Sequence, residues 1–167
     1  MGISRTLERF LRSEGVSFDL APHPRTMSSD ATAEAADIAG TKLAKAVIVE
    51  DTQRYFAVVI PSTLHVDLGA VRAKLGRQCG LATEPEIARL FPDCELGAVP
   101  AVAQAFGLGV LVDRNLFAQE EIYSQSGDHG LLIRLRNADF AALMRGEPVG
   151  ELGAAWTGDA SQSTGRA

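Results

Sequence analysis

The chain has 167 residues, of which 46% are hydrophobic and 22% charged, as expected for one globular domain with a buried core. Its 16 Lys and Arg against 21 Asp and Glu give a net charge of −5, so no overall basic field attracts nucleic acid. No apolar run reaches the roughly 18 to 20 residues that cross a bilayer. Its 2 cysteines are too few for a disulfide framework. These features exclude a membrane-spanning or disulfide-rich secreted class, and we expect a cytoplasmic protein.

The first part of the chain predicts two short helices separated by a loop. Apolar residues at helical spacing after Ser4 predict an amphipathic helix over residues 3–13. Two prolines in residues 21–26 exclude a helix there, because proline fixes φ and biases its predecessor towards extended geometry. The Ala-rich segment 30–36 predicts a second helix, with Asp30 as its cap.

The middle of the chain changes to β periodicity. Residues 44–49 and 55–60 are rich in β-branched side chains and flank a polar segment, which predicts a hairpin. Two helices are predicted next. One covers residues 66–75, with Asp67 at its start and Gly76 at its end, and a capping box at residues 83–86 opens the other. The later predicted elements are strands at residues 110–113, 122–124 and 131–135 and a last helix capped by Asn137.

This order of elements predicts an α/β (α+β) fold. Several neighbouring strands have connections too short for parallel crossovers, so we expect a mixed, mainly antiparallel sheet flanked by helices. The predicted domain covers residues 1–150. The Ser- and Gly-rich end predicts a flexible tail over residues 151–167.

Common catalytic and cofactor motifs do not occur in the sequence. The three histidines are far apart and form no metal-ligand pattern, so we expect no metal and no cofactor. A phosphate loop of the GxxxxGK[ST] type and a GxSxG nucleophile elbow are both missing. Cys79 and Cys94 are isolated, which is more typical of small buried hydrophobic residues than of nucleophiles.

Lys45 and the loop of residues 95–100 are the first candidates for a site. Lys45 precedes the apolar run 46–49, where it either extends to water or holds a ligand oxygen at the mouth of a pocket. In the loop, Gly97 permits close approach of the backbone to a ligand, and Pro100 stiffens the chain so that its N–H groups stay aimed. A surface turn is the alternative for this loop.

Two further segments carry polar groups. Asp113 ends a predicted strand, where it either caps the following turn or faces a site. Ser126, Asp128 and His129 bring a hydroxyl, a carboxylate and an imidazole into one segment. Residues adjacent along a turn rarely point at one another as a triad does, so a hairpin turn is favoured over a small-molecule hydrolase site.

Five segments taken together in this order resemble the YbaK-like aminoacyl-tRNA deacylases, a family related to the editing domain of bacterial prolyl-tRNA synthetase. They are TAEAA at 32–36, KLAKAVIV at 42–49, FPDCELGAVP at 91–100, VLVD at 110–113 and SGDH at 126–129. The resemblance extends from about residue 25 to residue 144. It implies a compact α/β domain that hydrolyses the ester between a wrongly attached amino acid and its tRNA.

The resemblance also implies a mechanism and a set of partners. A water attacks the ester with help from the terminal ribose hydroxyl of the tRNA, and the pocket selects a small amino acid. The expected partners are the acceptor end of an aminoacyl-tRNA and a synthetase, with no DNA and no membrane. The implied catalytic residues are Lys45, Gly97 and Ala98. The implied substrate-binding residues are Thr26, Val99, Pro100, Asp113, Ser126, Gly127 and His129.

Two positions depart from the family pattern. Asp37 stands where many relatives carry a histidine, and residues 101–105 replace a segment that contains a second proline and a Phe-Gly pair. These departures keep an alternative function open, that of a tRNA- or synthetase-binding module with the same fold and no catalysis. The two functions differ in whether any aminoacyl-tRNA is turned over.

Overall fold

The computed structural model describes residues 2–156 of the chain. Its helices are α1 (Arg5–Ser13), α2 (Ser29–Ala35), α3 (Leu68–Leu75), α4 (Glu84–Leu90) and α5 (Asn137–Leu143), with 3₁₀ turns at Gly40–Lys42, Ala103–Phe106 and Arg114–Ala118. Its strands are β1 (Asp19–Pro22), β2 (Leu43–Glu50), β3 (Tyr55–Pro61), β4 (Leu64–Val66), β5 (Gly80–Leu81), β6 (Gly109–Asp113), β7 (Glu121–Asp128), β8 (Leu131–Arg136), β9 (Val149–Gly150) and β10 (Gly153–Ala155).

One mixed sheet organises the domain. Its strand order is β1-β8-β7-β2-β3-β6-β9, and β5 pairs with the end of β2. The β1/β8, β7/β8, β2/β3 and β2/β5 pairs are antiparallel, whereas β2/β7, β3/β6 and β6/β9 are parallel. Strands β4 and β10 form a separate antiparallel pair. The predicted mixed sheet flanked by helices is confirmed.

Alternate residues of β2 enter different cores, as the period of two in a strand requires. Ile48 belongs to a core with Leu7 of α1 and Phe140 of α5, on one face of the sheet. Val47 belongs to a second core with Val71 of α3, on the other face. Helices therefore pack on both faces of the sheet at β2.

Predicted ends of three helices are confirmed. The Ser4 side chain accepts from the Leu7 N–H at the start of α1. Asp67 caps α3, which ends at Gly76 with a left-handed φ of 71°. At α4, Thr83 and Glu86 form the reciprocal capping box. These ends were predictable because each uses groups within one turn of the helix.

Other predicted boundaries are wrong. Ser28, not Asp30, caps α2, because Ser28 is the extended residue next to the first turn. Asn137 does not cap α5, because its side-chain amide donates to backbone carbonyls of residues 116–119. The helix predicted from residue 66 begins at Leu68, since Leu64–Val66 pairs with β10.

The predicted hairpin turn at residues 126–130 is shorter than expected. Strand β7 continues to Asp128, which pairs with Leu131, and its register shifts between Gln125 and Asp128. The shift is a β-bulge, which disrupts the ladder locally and turns side chains out of the regular alternation. The segment SGD therefore belongs to a bent strand end, next to the site described below.

The predicted flexible tail begins too early. Gly153–Ala155 forms a strand against β4, and Leu152 is buried in the core that contains Val71. Asp113 fixes the same segment by accepting hydrogen bonds from the N–H groups of Leu152 and Gly153. The tail prediction is thus wrong for residues 151–156, and its remainder, residues 157–167, lies outside the described residues.

Candidate active site

A cleft of about 570 Å³ opens where the sheet has a gap. Strand β2 pairs with β7 at Leu43 and Ala44, and with β5 at Val49 and Glu50. The four residues between these pairings, 45–48, all line the cleft. The other walls come from the start of α2, from α4, from the loop of residues 95–100 and from β7.

The backbone of Ala46 faces this gap. On the β3 side, the Ser62 N–H donates to the Leu43 carbonyl at 2.8 Å. On the opposite side, the Ala82 N–H donates to the Ile48 carbonyl at 2.9 Å. Backbone groups alternate in direction along a strand, so Ala46 turns its N–H and C=O the same way as Ile48, into the cleft. An unpaired stretch of strand edge thus offers one donor and one acceptor to a ligand.

Lys45, a candidate from the sequence, lines the cleft beside that edge. Burial lowers the pKa of its ammonium group below the ordinary 10.5, and nearby Asp30 acts in the opposite direction. Within residues 2–156, Lys45 forms no ion pair. Its partly desolvated charge is therefore available to an oxygen of a bound ligand.

The loop of residues 95–100 forms the facing wall through Leu96, Gly97 and Val99. Two hydrogen bonds to one residue of β7 hold it: the Glu95 N–H donates to the Gly127 carbonyl at 2.8 Å, and the Gly127 N–H donates to the Ala98 carbonyl at 2.9 Å. This clamp sets the distance between the loop and the sheet.

Some backbone N–H groups of the loop are hydrogen-bonded within the protein, and others are not. The Ala98 N–H donates to the Glu95 carbonyl at 3.0 Å, and Ala98 is fully buried. The predicted catalytic position Ala98 therefore does not line the cleft. Among residues 2–156, the N–H groups of Gly97 and Val99 have no hydrogen-bond partner. These two lining residues leave their backbone donors open for a ligand.

His129 supports the loop from behind and is only 3% exposed. Its Nε2 donates to the Leu96 carbonyl at 2.7 Å. Gly97 has a φ of +86°, and a Cβ built there would lie 3.2 Å from Cε1 of the His129 ring. Only glycine combines that backbone conformation with such close packing. His129, predicted to bind substrate, instead positions the loop.

Ser126, Gly127 and Asp128 also lie behind the loop. The Ser126 hydroxyl donates to the Leu131 carbonyl at 2.7 Å. Gly127 has a φ of +100° and packs against Ser4 and Cys94. The Asp128 carboxylate accepts from the Gly130 N–H at 2.7 Å. With the Ser126 hydroxyl and the His129 Nε2 both bonded to carbonyls, the geometry does not support a Ser-Asp-His nucleophile.

Three further predicted substrate-binding residues lie outside the lining. The Thr26 hydroxyl is hydrogen-bonded to the Thr32 hydroxyl of α2 at 2.6 Å. Pro100 is buried below the loop. Asp113 is 0% exposed, and its carboxylate caps the following 3₁₀ turn as well as holding residues 152 and 153. Of the ten predicted site residues, the cleft brings together Lys45, Gly97 and Val99.

The surroundings of Cys94 disfavour its thiolate form. Burial raises its pKa to about 12, with a further contribution from Asp93. A thiolate is the nucleophilic form of cysteine, and this environment disfavours it. The expectation of a small buried residue fits Cys79, whereas Cys94 is only partly buried.

Gln125 and Trp156 are among the cleft residues that sequence reasoning missed. Gln125 lines the cleft and is 7% exposed, and its Oε1 has no hydrogen-bond partner among the described residues. Its signal was a long polar side chain in an otherwise buried strand. Trp156 lines the rim and is 52% exposed. It gave no usable signal, because only the β4–β10 pairing brings it there.

Together these features define an α/β domain with a ligand cleft at a sheet edge, bordered by a cation and open backbone donors. The sequence profile of the aminoacyl-tRNA editing domain matches residues 23–143. The chain therefore belongs to the aminoacyl-tRNA editing domain family. No curated protein matches it in sequence. Within residues 2–156, no helix is long and apolar enough to cross a membrane.

Solved structures share the fold at low sequence identity. A candidate trans-editing enzyme for prolyl-tRNA synthetase is 21% identical with a TM-score of 0.80, covering 91% of this chain and 97% of its own. A hypothetical protein is 22% identical with a TM-score of 0.80 and coverages of 90% and 100%. A candidate signal-transduction protein from Marinobacter aquaeolei VT8 is 19% identical with a TM-score of 0.71, and the match spans 89% of this chain and 30% of that one.

Proposed function

We propose that this protein is a trans-acting deacylase that hydrolyses the ester bond of mischarged aminoacyl-tRNA. The observation that carries the proposal is the gap in the sheet, where one cleft is lined by Lys45, which has no ion pair within residues 2–156, and by Gly97 and Val99, whose amides have no partner there. Membership of the editing-domain family supports it, as does the fold shared with a candidate trans-editing enzyme.

The chemistry needs positioning and charge stabilisation more than a protein nucleophile. In the reaction, a water oxygen attacks the ester carbonyl carbon and negative charge develops on the carbonyl oxygen. Lys45 and the two open amides are the groups that would stabilise this oxyanion. Such donors act strongly in a partly desolvated site, because water does not screen them.

The remaining bonds and protons balance without a further cofactor. The bond from the carbonyl carbon to the ribose oxygen breaks, and that oxygen takes up a proton. The products are the free amino acid and a tRNA with a free terminal hydroxyl. We propose that the neighbouring ribose hydroxyl orients the water. The hydroxyl of Ser126 and the thiol of Cys94 are not needed, which agrees with their bonded or buried surroundings.

Recognition of the amino acid would use the strand edge. The carbonyl of Ala46 and the unpartnered Oε1 of Gln125 are acceptors, and the α-ammonium group that every unmodified aminoacyl ester carries is a donor. The apolar side chains of Val47 and Val99 limit the space for the amino acid side chain. One methylene discriminates by about 1 to 3 kcal/mol, so this pocket would favour small amino acids as a sieve separate from a synthetase.

A binding module of the same fold without catalysis is the competing function. Its support was the two departures from the family pattern. Neither lies in the cleft: Asp37 is exposed with a φ of 55°, and Ala101 is fully buried. The departures therefore leave Lys45 and the loop amides in place, and the catalytic function is favoured.

Incubation with a panel of mischarged tRNAs tests the proposal, beginning with proline tRNAs that carry alanine or another small amino acid. We expect release of amino acid by the wild-type protein, with Lys45→Ala reducing it by about 100-fold or more, as removal of an oxyanion donor does. Lys74→Ala, which removes an exposed charge on α3 outside the cleft lining, should have wild-type activity. Binding of tRNA or a synthetase with no release across the panel would instead establish the binding module.

A further inference from the structure

We propose that Trp156 forms a stacking platform for the terminal adenine base of the tRNA acceptor end. The inference rests on the proposed function and assigns a subsite to a residue outside the matched family region, residues 23–143. It follows from where the fold places the indole ring, how exposed the ring is and what a ligand bound at Lys45 must carry.

The indole ring is positioned at the rim by a contact with the His65 ring and by the anchored backbone that precedes it. Trp156 directly follows β10, in which Ala154 pairs with His65 of β4. The His65 and Trp156 ring centroids are 4.8 Å apart with the rings tilted by 51°. The preceding residues are anchored, because Asp113 accepts from the Leu152 N–H at 2.9 Å. A long-range pairing and a buried carboxylate thus position this side chain.

The ring keeps about half of its surface open. Trp156 is 52% exposed although it is the single tryptophan of the chain, and large aromatic side chains are buried on average. Two other exposed apolar side chains, Met27 and Leu96, line the same cleft. Exposed apolar groups collected around one opening are typical of a ligand-binding rim.

The substrate chemistry supplies a matching partner. An aminoacyl ester is joined through ribose to a terminal adenine, so an acyl group held between Lys45 and Gly97 places a flat aromatic base outside the acyl subsite. The cleft of about 570 Å³ is in the size range of sites for ligands larger than a small amino acid. Bases stack on aromatic side chains, whereas the small amino acid itself has no ring to stack.

Because Trp156 is the single tryptophan, its fluorescence reports directly on the proposed contact. The probe is an uncharged RNA hairpin with an acceptor stem that ends in CCA, compared with the same hairpin that ends in CC. We expect saturable quenching by the CCA hairpin and little by the CC hairpin. Equal responses to both hairpins, or no response to either, would overturn the platform.

Variants supply a second, independent readout. Trp156→Ala should raise KM for a mischarged tRNA about 10-fold with kcat nearly unchanged, and Trp156→Phe should keep most of the affinity, since stacking survives with a smaller ring. Leu20→Ala is the matched control, because Leu20 is 49% exposed on β1 and does not line the cleft. An unchanged KM for Trp156→Ala, or an equal rise for Leu20→Ala, would contradict the platform.

Failure of the platform and failure of the proposed function give different results. Quenching by the uncharged CCA hairpin needs no hydrolysis, so it would persist in a protein that deacylates nothing. Conversely, hydrolysis that depends on Lys45 but not on Trp156 would keep the deacylase and remove the platform.

Discussion

The two edges of β2 belong to one strand but differ in pairing. Towards β3 the strand pairs continuously from Ala44 to Glu50. Towards β7 and β5 it pairs only at its ends, and the interval between them is the cleft. The site is thus created by leaving a short strand edge unpaired inside a folded sheet. Continuous pairing with β3 holds β2 in place. The unpaired interval on its other edge leaves backbone donors and acceptors exposed in the cleft that Lys45 also lines.

Two buried polar side chains repeat this contrast. Both carboxylate oxygens of Asp113 are hydrogen-bonded, one to Asn115 and the other to the N–H groups of residues 152 and 153. Gln125 is nearly as buried, but its Oε1 has no partner among the described residues. A buried polar group whose hydrogen bonds are all made within the protein stabilises the fold. A buried acceptor that lacks a partner at a cleft can instead accept a hydrogen bond from a ligand.

The largest expected effect is at Lys45. Lys45→Met should lower the hydrolysis rate by about 100-fold or more, because it removes the charge proposed to stabilise the oxyanion. The same change should leave the free energy of unfolding equal or raise it by up to about 2 kcal/mol, since a desolvated unpaired charge is replaced by an apolar chain. Urea denaturation and single-turnover assays measure the two effects. Wild-type activity in the folded variant would remove Lys45 from the mechanism.

A variant of Asp113 tests the role of the buried group whose hydrogen bonds are all made within the protein. Asp113→Asn should lower the free energy of unfolding by about 2 to 4 kcal/mol, because the new NH₂ group cannot accept the bonds that both oxygens now take. The kcat of the folded fraction should stay within about twofold of the wild-type value, as Asp113 does not touch the cleft. A fall in kcat at unchanged stability would instead restore Asp113 as a site residue.

Alanine variants at Gly97 and Gly107 distinguish the effect of displacing the loop from the effect of backbone strain. Both have positive φ, but only at Gly97 would a Cβ meet the His129 ring. Each alanine variant should lose about 1 kcal/mol of stability or somewhat more. Gly97→Ala should also lose about 10-fold in hydrolysis, because displacing the loop moves its open amides. An equal loss of activity at Gly107 would show that the effect is not local to the cleft.

A variant of Gln125 tests the role of the buried acceptor that lacks a hydrogen-bond partner among the described residues. Gln125→Leu should raise KM about 10-fold at nearly constant stability, since it removes an acceptor that lacks a protein partner. The proposed role as α-ammonium acceptor adds a sharper expectation. The wild-type protein should discriminate against an N-acetylated aminoacyl-tRNA, and Gln125→Leu should lose most of that discrimination. Equal discrimination by both proteins would place recognition of the ammonium group elsewhere.

The smallest expected effect is the pH dependence of stability. Burial lowers the pKa of Lys45 in the folded protein, so the unfolded chain holds that proton more tightly. Stability should therefore rise with pH from the lowered pKa up to the ordinary value of 10.5. Lys45→Met lacks this contribution, so its stability advantage should shrink as pH rises through that window. Parallel pH series of urea midpoints measure the difference, and an advantage that grows with pH would contradict a lowered pKa.

Local sequence was sufficient for the parts of the fold that local contacts specify. The α4 capping box and the β2–β3 hairpin each use groups close in the chain, and both were predicted. Lys45 was predicted as a candidate for the same reason, since a cation at the start of an apolar strand is visible without partners. The short connections between neighbouring predicted strands indicated the mixed sheet, which matches the structure.

What escaped prediction depends on long-range pairing. The gap beside β2 exists because β7 and β5 pair with the same edge of β2 at its two opposite ends. That geometry places Gln125 in the cleft and puts His129 behind the loop. Trp156 reaches the rim through the β4–β10 pair, whose strands lie far apart in the sequence. No local pattern encodes any of these placements.

A single-turnover assay tests the central claim most directly, that the unpaired edge of β2 is where an aminoacyl ester is hydrolysed. Excess protein is mixed with the mischarged tRNA that the panel identifies, and amino acid release is followed in wild-type, Lys45→Met and Lys74→Ala proteins. We predict release that is fast in the wild type and Lys74→Ala and slower by about 100-fold or more in Lys45→Met. Equal rates in all three proteins, with Lys45→Met folded, would contradict the account.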